Sequence, residues 1–180
     1  PVMRGPSSSH SAAANRIGRL MRALAGEKIS TLVVRYDPNG SLVTTHKEQG
    51  SDLGLYSGIL GWTPDDHRLP TYEQALKNEG IKIDLHYESY GAPHPNFYRL
   101  EAHGASGTIY HFDAISTGGG MIKTIAIDGI PFASAGDYHH VLIWVKEVPE
   151  LRPDLVAEIV SIHKSEEGEH LINLSLREEP

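Results

Sequence analysis

The chain contains no cysteine. Disulfides, thiolate zinc sites and an iron–sulfur cluster held by its own thiolates are therefore excluded. It lacks any apolar run near the roughly 20 residues a membrane-spanning helix needs, and no signal-peptide pattern opens it. The cytoplasm is the expected location. Positive charge is in short supply, with 16 Lys and Arg against 23 Asp and Glu and a net charge of −7. That balance gives no reason to expect nucleic acid as a partner. Arg16, Arg19 and Arg22 recur at helical spacing and read as a solvated helix face. What remains is 180 residues, 39% of them hydrophobic. This suffices for one domain, or one domain with an appendage, built around a real core.

Periodicity predicts both helices and strands. Residues 10–25 fit a first helix, with Ile17, Leu20, Met21 and Leu24 recurring and Gly26 as its stop. Residues 30–36 read as a strand, DPNG as a turn, and 41–45 (SLVTT) as a second short strand. A second helix is expected over 50–61, where Gly50, Gly54, Gly58 and Gly61 weaken the intrinsic propensity and permit close approach. A third is expected over 71–79, with Thr71 as cap and Gly80 as stop. Strands follow at 81–88, 97–102, 108–115, 121–127 and 141–146, then a helix at 152–163 and a strand at 171–176. This order predicts an α+β fold, a mixed sheet with helices packed on one face. Residues 1–140 form the main domain and 141–180 a strand–helix–strand extension.

Several polar clusters exceed what structure needs. Ser7, Ser8, Ser9, His10 and Ser11 open the first helix, where one N-cap would do. Backbone N–H groups and the helix dipole favour an anion there, hydroxyls add donors, and His10 titrates near neutrality. An over-supplied cap is the plain alternative. Ser116, Thr117, Gly118, Gly119 and Gly120 lie between two strands; such glycines expose backbone amides to a ligand or simply make a turn. Residues 44–52 gather Thr45, His46, Gln49, Ser51 and Asp52, with Asp52 a site acid or a first-turn helix acid. The 11 histidines include His94, His139 and His140. None forms the i, i+4 pair with a nearby carboxylate of a zinc hydrolase helix, and no metal ligand is assigned.

Taken together these blocks resemble a known family. Gly5-Pro6-Ser7-Ser8-Ser9-His10-Ser11 with Arg16-Ile17-Gly18-Arg19 resembles the opening signature of the β chain, or β domain, of iron–sulfur-dependent L-serine dehydratases. Gly40-Ser41-Leu42, Gly50-Ser51-Asp52 and Gly58-Ile59-Leu60-Gly61 match a second block. His94-Pro95-Asn96 matches a third and Ser116-Thr117-Gly118-Gly119-Gly120 a fourth. They fall in the family's order over residues 1–140.

The resemblance implies a fold similar to the allosteric substrate-binding domain of phosphoglycerate dehydrogenases. It implies a cytoplasmic lyase of amino-acid catabolism and gluconeogenesis that converts L-serine to pyruvate and ammonia. The cofactor would be a four-iron four-sulfur cluster held by a separate cysteine-containing α part, the expected partner in an oligomer. One iron would act on the substrate hydroxyl, since hydroxide leaves poorly without a metal. His10 and His46 would be catalytic. Ser7, Ser8, Ser9, Ser11, Asp52, Ser116, Thr117, Gly118, Gly119 and Gly120 would bind substrate. The family's usual histidine before the second block's Gly-Thr-Asp is Gln49 here, which cannot act as a base; His46 or His10 would take its place. A regulatory, amino-acid-binding module without catalytic residues is the alternative. Residues 141–176 resemble the start of a ligand-sensing ACT unit or serve as a linker to the catalytic part.

Overall fold

The first helix and the glycines that face it set the architecture of the computed structural model, which describes residues 3–136, 138–150, 159–165 and 168–177. A π-helical turn at Ser8–Ala12 runs into α1, Ala13–Ala25. Ile17 and Met21 are fully buried, whereas Leu20, expected inside, is 38% exposed. Each such burial contributes about 1.5–3 kcal/mol. α1 ends where Gly26 turns left-handed at φ 62° and its N–H donates to the Arg22 carbonyl at 3.1 Å.

After β1 (Ile29–Tyr36) and the short α2 (Leu42–Thr45) comes α3, Ser51–Ile59, which packs along α1. Its contact is backbone on backbone. A Cβ at Gly54 would stand 2.1 Å from the Ser11 carbonyl oxygen, one at Gly58 2.3 Å from that of Asn15, and one at Gly18 2.2 Å from that of Leu55. The glycines that weaken the helix are thus what lets it seat. Asn15 fixes the crossing from inside, its side-chain amide donating to Ser57 Oγ and the Trp62 carbonyl. A 3-10 turn (Leu69–Thr71) and α4 (Tyr72–Glu79) complete the helices among the described residues.

The strands are β2 (Lys82–Tyr87), β3 (Phe97–Gly104), β4 (Ile109–Gly118), β5 (Met121–Ile127) and β6 (Ile130–Ser134). With β1 they form a six-stranded sheet in the order β2-β1-β3-β4-β5-β6. β1 and β2 are parallel and the other pairs antiparallel, so the sheet is mixed. α1 lies against β3, β4 and β5. The core joins Ile17 and Met21 to Leu32, Val34, Leu100, Ala114 and Ile122. Alternate residues carry ion pairs instead, Arg35 with Glu101 and Arg99 with Asp113. A second, three-stranded antiparallel sheet is ordered β7-β9-β8, from β7 (His139–Val145), β8 (Ile159–Lys164) and β9 (His170–Leu176). The fold is α+β, and no helix among the described residues is long and apolar enough to cross a membrane.

Three expectations change. Residues 42–45 are helical, because Thr44 and Thr45 return their hydroxyls to the Ser41 carbonyl, satisfying it within the turn. β6 was not expected as a strand; it follows a turn with left-handed Asp128 and Gly129, φ 48° and 75°, the backbone a two-residue hairpin requires. Of the helix expected at 152–163, residues 151–158 lie outside the described residues. Residues 159–164 are strand β8 (IVSIHK), with β-branched residues suited to a pleated sheet.

Candidate functional site

Four segments distant in sequence meet in one closed circuit of hydrogen bonds. Ser116 Oγ, at the end of β4, donates to the Ser9 carbonyl at 2.6 Å. The Ser116 N–H donates to the Asn96 carbonyl at 3.1 Å. Asn96 Oδ1 accepts from Ser41 Oγ. The Ser41 carbonyl accepts from Thr45 Oγ1 at 2.8 Å. Thr45 Oγ1 meets His10 Nε2 at 3.4 Å, and His10 Nδ1 meets Ser7 Oγ at 3.1 Å. The path leaves the serine-rich segment at Ser9 and re-enters it at His10.

Local structure explains how each segment arrives. Ser7 is extended, and the turn after it is π-helical, a widened geometry that often marks functional positions. Gly118, Gly119 and Gly120 have φ of 101°, 60° and 83°, a run open to glycine alone. Gly120 sits against the serine segment: a Cβ there would lie 3.7 Å from the Ser8 carbonyl oxygen. Asp37 braces the loop carrying His94, Pro95 and Asn96. The backbone N–H groups of Ala92 and Asn39 hydrogen-bond its carboxylate, with Tyr90 N–H adding a third, and hold its pKa down at about 2.

The bonds fix the tautomer of His10. Thr45 spends its proton on Ser41, so its oxygen accepts from His10 Nε2–H. Nδ1 of the neutral ring then accepts from the Ser7 hydroxyl. His10 is half-buried, and its desolvation lowers its pKa below 6.5. The ring is therefore a neutral base at neutral pH, with its lone pair toward Ser7.

Ser8 and Thr117 are exposed, while Ser7 and Ser9 are half-buried. Ser11 differs: it is 1% exposed, and its Oγ donates to the Gln49 carbonyl at 3.3 Å. Gly5 and Gly50 press on it from both sides, each leaving only 2.4 Å between a Cβ and the Ser11 oxygen. His46 and Asp52 are also buried. His46 Nδ1 lies 2.8 Å from both Asp52 oxygens and its Nε2 lies 2.7 Å from the Tyr87 hydroxyl. Asp52 and Gly50 border a cleft of about 780 Å³ with Lys47, Leu53, Tyr56 and Tyr72. The slightly larger cleft, about 840 Å³ between Phe132 and Trp144, is lined by Arg16 and Arg19 of the first block and by His139 and His140, but by none of the residues of the hydrogen-bond circuit. Sequence reasoning missed Tyr87 altogether, since nothing in its strand period distinguishes it. Ser41 and Asn96 stood in the matched blocks without a role.

No protein-family model matches the chain. It is 34% identical over 143 residues to the probable L-serine dehydratase beta chain of Bacillus subtilis (strain 168), covering 79% of this chain and 64% of that one. It is 33% identical over 153 residues to the L-serine dehydratase beta chain of Peptoniphilus asaccharolyticus, covering 84% of this chain and 67% of that one. The chain belongs to the L-serine dehydratase beta-chain family. It spans about two thirds of the length of these relatives. It has no cysteine. No group of three or more His, Asp or Glu among the described residues is placed to hold a metal ion. Its own residues do not fit an iron–sulfur cluster.

Proposed function

We propose that this chain is the β portion of an L-serine dehydratase, a lyase that deaminates L-serine to pyruvate and ammonia together with a cysteine-containing α part. The four-iron four-sulfur cluster of this reading belongs to that α part. The observation that carries the reading is the closed circuit through Ser7, Ser9, His10, Ser41, Thr45, Asn96 and Ser116 in a chain of this family. Residues 5–120 would have no reason to bring four polar blocks together for packing alone.

In this reading His10 exchanges a proton through Nδ1, with Ser7 as its hydrogen-bonding partner. The hydroxyls of Ser7, Ser8 and Ser9 and the backbone of Thr117, Gly118, Gly119 and Gly120 orient the substrate's charged groups. Ser116 locks the two segments together, and Ser11 holds the turn from behind. Asp52 and His46 act from the buried side. The fold corresponds to the allosteric substrate-binding domain of phosphoglycerate dehydrogenases, and the assembly is cytoplasmic.

The test is anaerobic purification of the chain with its partner from source cells, with iron content and pyruvate release from L-serine read on the product. An iron-bearing, cysteine-containing partner (or a longer parent chain) together with pyruvate is the expected result. Iron without pyruvate would overturn the substrate. Neither partner nor iron would leave a ligand-binding module and end the catalytic reading.

A further inference from the structure

A line of hydrogen bonds runs from the interior to the surface at the end of β2. Both Asp52 oxygens lie 2.8 Å from His46 Nδ1, and His46 Nε2 lies 2.7 Å from the Tyr87 hydroxyl. Asp52 is 7% exposed and His46 3%, whereas Tyr87 is 50% exposed. The Tyr36 ring on one side, 5.6 Å away, and the Tyr87 ring, 6.0 Å away, confine the imidazole. A carboxylate only accepts, so the His46 proton sits on Nδ1 and Nε2 accepts from the phenol.

Burying a carboxylate and an imidazole is costly unless they are paired. Here they are paired with each other, and the remaining nitrogen points to one accessible hydroxyl. A carboxylate that orients a histidine, which in turn accepts a hydroxyl proton, is the arrangement that activates a hydroxyl. Gln49, exposed next to this segment, cannot take a proton. Thr45, bonded to His10, directly precedes His46 in the chain. Converting L-serine to pyruvate and ammonia needs more than one proton transfer, and His10 alone is one group.

We propose that Tyr87 is a catalytic residue of this chain, a base activated through His46 by Asp52. This rests on the L-serine dehydratase reading. The Tyr87 O–H bond breaks as an N–H bond forms at His46 Nε2, while the phenol oxygen takes the proton from the substrate carbon next to the carboxylate. The electron pair left on that carbon forms a double bond to its neighbour as the carbon–oxygen bond there breaks, and the departing hydroxide takes up the proton that His46 returns through Tyr87 and leaves as water. Asp52 stabilises the imidazolium until that return resets the line.

The experiment uses the assembled protein, wild type and Tyr87→Phe, assayed for pyruvate from L-serine. Phe keeps the ring, so the fold is retained, and thermal melting is lowered only by the loss of one hydrogen bond to His46 Nε2. Turnover falls by about 10²–10⁴-fold, the scale of lost acid–base catalysis, with KM altered little. In parallel, acylation of Tyr87 by N-acetylimidazole is followed by peptide mass mapping in wild type, His46→Gln and Asp52→Asn. Either substitution slows acylation about tenfold, because the phenol loses the neighbouring base that draws off its proton or the carboxylate that orients that base. Turnover within threefold of wild type for Tyr87→Phe overturns the proposal while leaving the dehydratase reading intact. If wild type makes no pyruvate, the dehydratase reading fails by itself, and acylation decides: slowing in both variants upholds the activated phenol, and an unchanged rate overturns it.

Discussion

His10 carries more constraint than any other side chain of the circuit. Its Nε2–H is committed to Thr45, its Nδ1 faces Ser7, and partial burial disfavours its charged form. The sign follows directly. Because the folded pKa lies below 6.5, the base is fully available above 6.5 and is lost as pH falls through the lowered value. If the chain acts as proposed, the assembled protein is expected to keep its acid limb below pH 6.5, measured as kcat/KM for L-serine against pH. His10→Ala reduces turnover about 10²–10⁴-fold and removes that limb; an intact limb in the variant would assign it to another group. Folding obeys the same sign: the contribution of neutral His10 to stability is present above 6.5 and lost as pH falls. His10 and the serines were legible in the sequence because one N-cap does not need so many hydroxyls. The burial of Ser11 was not, since it depends on Gly5 and Gly50, one of them distant in sequence, closing over it. Nor was Tyr87, whose partner His46 is 41 residues away.

At the scale of elements, glycine decides how the site is held. α1 carries the π-helical turn, and α3 begins next to Gly50 and the His46–Asp52 pair, so their crossing sets where those groups stand. A side chain at Gly58 would meet the Asn15 carbonyl oxygen at 2.3 Å and the Arg19 nitrogen at 2.9 Å, both backbone atoms that cannot swing aside. Gly58→Ala is therefore expected to destabilise the fold by about 1–3 kcal/mol or more despite the better helix propensity of alanine. The check is the denaturant midpoint at constant slope. A midpoint at or above wild type would show that α1 and α3 separate freely. The sequence made this close approach legible, because glycines at three- and four-residue spacing in an otherwise apolar helix have few other uses. It misled at SLVTT, whose β-branched residues suggested a strand. The local return of Thr44 and Thr45 hydroxyls to Ser41 outweighs that propensity. β6 was hidden for a different reason: Pro131 argues against a strand, yet it lies on the sheet's edge, where a missing donor costs little.

Across the whole molecule, long-range pairing rather than local pattern builds the site. The order β2-β1-β3-β4-β5-β6 brings the β3 entrance, with Asn96 just before it, beside the end of β4 at Ser116. No periodicity reveals that adjacency; only the register does. The second sheet is joined to the first by a small contact of another kind. Phe132 on edge strand β6 is 5% exposed and stands edge-on to the rings of His140 at 5.2 Å and His163 at 5.8 Å. Ser134 Oγ adds a hydrogen bond to His140 Nε2 at 2.8 Å, and His140 Nδ1 reaches the buried Asn173 at 2.9 Å. Leu171 of β9, fully buried in the same core, and Leu142 of β7 add apolar contact beside the Phe132 ring. Phe132→Ala removes that ring at a cost of about 3–5 kcal/mol. Because β3, β4 and β5 are also held by α1, that cost is expected to fall on the joint. Amide hydrogen exchange should accelerate in β7, β8 and β9 while the central strands keep their protection. Equal acceleration in both sheets would instead mean that they unfold as one cooperative unit, and that a ligand or partner gripping the second sheet is felt directly at the His10 circuit.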